Sequence, residues 1–102
     1  MNTTRTIPAA ARVLRVLKAL RGYTVTGVSN TELTKALGES PSNVTRALVT
    51  LIDEGLAVKL DNGRFAHSVQ MLQIAQAHAE HTARLQHRIS EINQRIAAGS
   101  QY

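Results

Sequence analysis

The sequence predicts a mainly helical fold with one small β-hairpin, and three observations carry that expectation. Serines stand where helix caps belong, with glycines where helices should stop. Asp61-Asn62-Gly63 separates two short runs of strand character. From Ser68 onward neither glycine nor proline occurs until Gly99. Composition agrees. Aromatic residues make up 3% of the 102-residue chain and hydrophobic residues 43%. The core must therefore come from Leu, Val, Ile and Ala, a palette that suits helices better than a β-sandwich.

The first helix is expected to open at Pro8, where a missing N–H costs nothing. Val13, Leu14, Val16, Leu17 and Leu20 form its apolar stripe, and Gly22 follows as a stop. Met1 to Ile7 reads as a frayed arm. Arg5, Arg12, Arg15, Lys18 and Arg21 are unaccompanied by any acid in the first twenty-one residues. This resembles an organellar leader in charge, but the apolar stripe is one the domain needs, so the segment reads as a basic arm plus a core helix. Residues 23–28 are β-branched and contain Gly27, which suits an extended connection with a short strand.

Ser29-Asn30-Thr31-Glu32 has the spacing of a capping box, with Glu32 reaching back to the start of the helix. Leu33, Ala36 and Leu37 should share one side of a short helix that Gly38 ends. After the link Glu39-Ser40, Ser40 is a good N-cap and Pro41 a good first residue. The next helix is expected to bury Val44, Leu48, Leu51 and Ile52 and to stop at Gly55. Leu56, Val58 and Leu60 alternate with period two, as in a half-buried strand. Asp61-Asn62-Gly63 is a turn signal, and residues 64–67 return as the partner strand. Helix, helix, tight turn, helix and basic-tipped hairpin is the order of a winged helix-turn-helix, expected over residues 1–67.

Residues 68–102 read as one long helix, about 45 Å at 1.5 Å per residue. Met71, Ala75, Leu85, Ile89, Ile92 and Ile96 fall on one heptad frame, with His78 and Thr82 at the remaining core positions. Leu85, Ile89, Ile92 and Ile96 form its strong half and are the expected dimer interface. A helix of this length is too long for so small a domain to bury, so self-association is expected.

The formal net charge is +5. Residues 1–67 carry nine basic and five acidic side chains, and residues 68–102 carry three and two. The excess cations thus sit on the front part, where a polyanion would bind. The helix from Pro41 to about Glu54 would enter the major groove. Its polar face is Ser42, Asn43, Thr45, Arg46 and Thr50, with no acid until Asp53. Ser42, Asn43 and Thr45 can reach base edges or phosphates from the first turn, together with the capping Ser40. Arg46 can fork onto guanine or pair with a phosphate. Lys59 and Arg64 flank the Asn62-Gly63 tip and are expected on the DNA backbone, with Asn62 beside them.

Those residues resemble a known family. Arg12-Val13-Leu14-Arg15-Val16-Leu17, Ser29-Asn30-Thr31-Glu32-Leu33 and residues 38–48 resemble the N-terminal domain of IclR-type transcriptional regulators. Leu51-Ile52-Asp53-Glu54-Gly55-Leu56 and Gly63-Arg64-Phe65 extend the likeness, which covers roughly residues 10–75. The resemblance implies sequence-specific binding to double-stranded DNA as a homodimer, with Ser42, Asn43, Thr45 and Arg46 in the reading positions. The family's C-terminal ligand-binding domain has no counterpart here, so no small-molecule effector is expected.

Other classes find less support. The chain has no cysteine, which removes disulfides and cysteine metal sites and fits a reducing cytoplasm. No apolar run is long enough to span a membrane. His78 and His81 are three apart, but the further ligands a metal needs are not at suitable spacing. No nucleophile–base–acid set and no phosphate-cradling glycine loop is visible, so neither an enzyme nor a cofactor is expected. The second reading is a winged-helix module that docks a protein partner through its C-terminal helix.

Overall fold

The computed structural model describes residues 4–100. Met1–Thr3 of the expected arm lie outside them. The element order is α1 (Pro8–Ala19), α2 (Asn30–Leu37), α3 (Pro41–Asp53), β1 (Ala57–Lys59), β2 (Phe65–His67) and α4 (Val69–Gly99). The chain divides into two compact units, residues 1–71 and 72–102. The first unit includes the opening of α4. The Ser68 hydroxyl donates to Gly55 O at 2.6 Å and accepts from Met71 N at 3.0 Å.

In the first unit α3 is packed by both α1 and α2. Val16, Leu20, Val28, Leu33, Val44, Ala47, Leu48, Leu51 and Ala57 form its core. On α3 the buried residues fall at i, i+3, i+4 and i+7, one arc of a 3.6-residue helix. Ile52, expected inside, is 38% exposed, and Ala47 takes its place. Ile52 follows Leu51 by one residue, about 100° round the helix and off that arc. Leu14 and Ala36 are likewise exposed, each displaced from the stripe that faces the core.

β1 and β2 pair antiparallel with Val58 opposite Ala66. Val28 bridges Phe65 on the far edge of β2, a one-residue remnant of the short strand expected near there. The expected alternation within β1 does not hold, since Ala57 is buried and Val58 is 37% exposed. Leu56 N donates to Leu51 O, so the end of α3 fixes which side of this three-residue strand meets the core. Gly27 holds the α1–α2 connection against the wing. Its φ is +76°, and a Cβ there would lie 2.6 Å from Arg64 Cβ and 2.8 Å from Leu60 Cδ1. Only glycine meets both demands.

The second unit is the remainder of the 31-residue α4. None of the helix's residues is buried. Leu85, Ile89, Ile92 and Ile96 are 46–64% exposed. Among the described residues, no helix is long and apolar enough to cross a membrane.

Candidate nucleic-acid interface

Both caps of the helix-turn-helix form as the sequence requires. Ser29 Oγ accepts from Glu32 N at 3.1 Å, and Ser40 Oγ accepts from Asn43 N at 3.2 Å. Gly38, at φ +66°, closes α2 and lets the chain turn into α3 after two residues. The Glu32 carboxylate does not complete the expected box on the backbone. It accepts from the Ser29 hydroxyl at 3.2 Å and from both terminal nitrogens of Arg64, with Nη1 at 2.8 Å.

The structure places Ser42, Asn43, Thr45, Arg46 and Thr50 on one helix, with Ser40 as its cap. Ser42, Arg46 and Asp53 are exposed on its outward side, and Val49, 60% exposed, stands among them. Ser40 and Ser42 hydroxyls lie 3.3 Å apart. Arg46 makes no ion pair among the described residues. Thr50 spends its hydroxyl proton on Arg46 O at 2.8 Å, which leaves its oxygen as an acceptor.

Two flanks of α3 are held by residues the sequence did not single out. On one flank Asn30, the first residue of α2, donates to Thr45 Oγ1 at 2.8 Å and Pro41 O at 3.3 Å. Thr45 in turn donates to Pro41 O at 3.0 Å. On the other flank stands Glu39, in the turn. Its carboxylate accepts from Asn43 Nδ2 at 3.3 Å and faces Arg12 Nε at 3.3 Å and Arg15 Nη2 at 3.6 Å. Arg12 Nε is buried and out of line for a hydrogen bond, so this contact is electrostatic. The Asn43 amide, together with the two guanidiniums, holds the Glu39 carboxyl below its ordinary value despite some desolvation. The Asn43–Glu39 contact spans four residues, a spacing the sequence could have revealed. The links to Arg12 and Arg15 are long-range and leave no local signal.

The wing places Lys59, Asn62 and Arg64 on one hairpin, but each is already engaged. Arg64 is tied to Glu32. Lys59 Nζ sits 5.9 Å from the centre of the Phe65 ring. Asn62 donates to Thr26 O at 3.1 Å and accepts from Arg64 N at 2.9 Å, which fixes the loop. The remaining wing histidine has a structural task. His67 Nε2 donates to Leu17 O at 2.7 Å, satisfying a carbonyl in the last turn of α1. Among the described residues no group of three or more His, Asp or Glu could hold a metal ion.

Comparison with known proteins agrees with this layout. The IclR helix-turn-helix domain matches residues 9–61. No curated protein matches the chain. Among solved structures, an IclR transcriptional regulator from Alicyclobacillus acidocaldarius is 25% identical, with a TM-score of 0.62 over 72% of this chain and 30% of its own. Pseudomonas aeruginosa HmgR is 25% identical, with a TM-score of 0.66 over 78% of this chain and 34% of its own. The Agrobacterium tumefaciens repressor BlcR, at 22% identity and a TM-score of 0.56 over 71% of this chain and 28% of its own, shares the fold. The chain thus spans about a third of the length of these solved relatives. With more than half of its residues matched by that domain, the chain belongs to the IclR helix-turn-helix family.

Proposed function

We propose that the chain is a sequence-specific regulator of transcription that binds double-stranded DNA as a homodimer in the cytoplasm. α3 enters the major groove, and the hairpin wing lies on the backbone. The observation that carries this reading is the outward side of α3. Ser42, Arg46 and Val49 are exposed there, with small hydrogen-bonding neighbours and no acid before Asp53. A groove about 12 Å wide admits such a helix, and its base edges offer partners to hydroxyl, amide and guanidinium groups. Capping by Ser40 and the tie from Asn30 support the reading, because they fix the first turn before any DNA arrives.

The dimer reading rests on α4. Leu85, Ile89, Ile92 and Ile96 repeat at four, three and four residues and are all exposed. A second copy of the same seam would cover them, and paired domains would read paired half-sites.

The test is selection of duplexes from genomic fragments, followed by a salt series on the selected site. Affinity should fall steeply with salt, and the selected site should be bound at least ~10³-fold more tightly than random duplex. No binding at low salt overturns the reading. Binding without preference leaves only a backbone binder.

A further inference from the structure

α1 and α3 enclose a cleft of about 170 Å³ lined by Ala9, Arg12, Val13, Asn43, Arg46, Ala47 and Thr50. Its polar lining is two guanidiniums, one amide and one hydroxyl, with no carboxylate. Glu39 stands behind it, and its charge is already matched by Arg12 and Arg15 at 3.3 and 3.6 Å. Three guanidiniums and one carboxylate therefore share this corner, which leaves it cationic. Arg46 has no carboxylate partner among the described residues, and Arg12, whose buried Nε is turned to Glu39, has its terminal nitrogens left for a ligand. The size and donor set fit a single tetrahedral anion.

Position says which anion. Asn30 ties α2 to one flank of α3 at Thr45, and the cleft lies on the opposite flank, toward α1. A helix seated in the major groove has one sugar–phosphate strand along each flank. We propose that the Arg12–Arg46 cleft seats one backbone phosphodiester of the bound DNA. Arg12 of α1 and Arg46 of α3 hold the same phosphate through their guanidiniums, while the Thr50 hydroxyl, committed to Arg46 O, gives it no donor. This rests on the DNA-binding reading above and sharpens it. Arg46 becomes a phosphate ligand rather than a guanine reader, and α1 acquires a place in the interface.

The probe is a duplex selected by the wild-type chain, studied by ethylation interference and over a salt series. In the wild type one ethylated phosphate on the strand beside α1 should weaken binding strongly. In the double variant Arg12→Gln/Arg46→Gln, ethylation at that position should no longer matter. The slope of log affinity against log salt should flatten by about 0.9 in the double variant, the value for one lost phosphate. Two independent contacts would flatten it by about 1.8. Specificity between duplexes should change little, because no base contact is lost. Arg12→Lys keeps the ion pair with Glu39 and serves if Arg12→Gln fails to fold. It should retain the interference position at reduced affinity. The proposal is overturned by an Arg46→Gln change that relaxes preference at one base pair, or by an interference pattern the double variant leaves intact. Failure of the wild type to bind any duplex would instead remove the DNA-binding reading itself.

Discussion

Asn30 donates to Thr45 Oγ1 at 2.8 Å across fifteen residues of sequence, joining the first residue of α2 to the first turn of α3. The same amide reaches Pro41 O, and its oxygen accepts from Thr34 Oγ1 at 3.1 Å. One side chain therefore links the two helices of the motif at their N-terminal ends, beside the core that Leu33 shares with Val44 and Leu48. Asn30→Ala should cost about 1 kcal/mol in urea unfolding, the usual net worth of such hydrogen bonds. It should also weaken the selected duplex more than random duplex, because Thr45 and its neighbours lose their fixed position. An equal loss on both would assign Asn30 to stability alone.

The second prediction concerns the wing. Arg64 is neutralised by Glu32, so Arg64→Ala should change the salt slope of DNA binding by much less than one phosphate contact. Glu32→Gln keeps a hydrogen-bonding partner for Ser29 but frees the guanidinium. That variant should bind DNA more tightly at low salt, with a slope steeper by about 0.9. The exposed ion pair itself is worth little, ~0–1 kcal/mol, so both variants should remain folded. An unchanged slope in Glu32→Gln would show that the wing does not touch the backbone.

Acid should uncouple α1 from the turn. The Glu39 carboxyl sits below its ordinary value in the folded chain, chiefly through the Asn43 amide and then through Arg12 and Arg15. A lowered folded-state value means that the ionised form is favoured on folding. Its contribution is present above the usual carboxylate range and is lost as pH falls through the lowered value. In urea unfolding at several pH values, Glu39→Gln should be less stable than wild type near neutrality. The two should converge in acid. A difference that stays constant with pH would rule out the ion cluster as its source.

These contacts mark where the sequence was readable and where it was not. Ser29 and Ser40 cap their helices as read, because capping is decided within three residues. Pro8, Gly38 and the hairpin tip follow from equally local rules. The packing of α3 needed more. Ile52 outweighs Ala47 in hydrophobicity, yet the helix faces α1 and α2 along the arc that contains Ala47. β1 turned the other way because the end of α3 sets its orientation before its own alternation can. The candidate site was legible as a face but not as a set of commitments. Nothing local in the sequence says that Arg64 belongs to Glu32, Arg12 to Glu39 or Asn30 to Thr45, since each pair is brought together by the fold.

For association, Ile89→Asp is the direct probe. A charge in the centre of the seam formed by Leu85, Ile89, Ile92 and Ile96 would have to be buried in a paired helix, at a cost of several kcal/mol. Sedimentation should give dimers for the wild type and monomers for the variant, and half-site pairing on DNA should disappear with it. An unchanged mass would move the interface elsewhere.

α4 has thirty-one residues and buries none of them. An isolated helix in water gains little from propensity alone, since most helical stability comes from packing an apolar face. The order of this helix should therefore depend on how much protein is in the tube. Diluting the sample should speed amide exchange in residues 72–100 while leaving Val44 and Leu48 protected. The C-terminal unit would then act as a concentration gauge, ordered only where enough copies have gathered to share it.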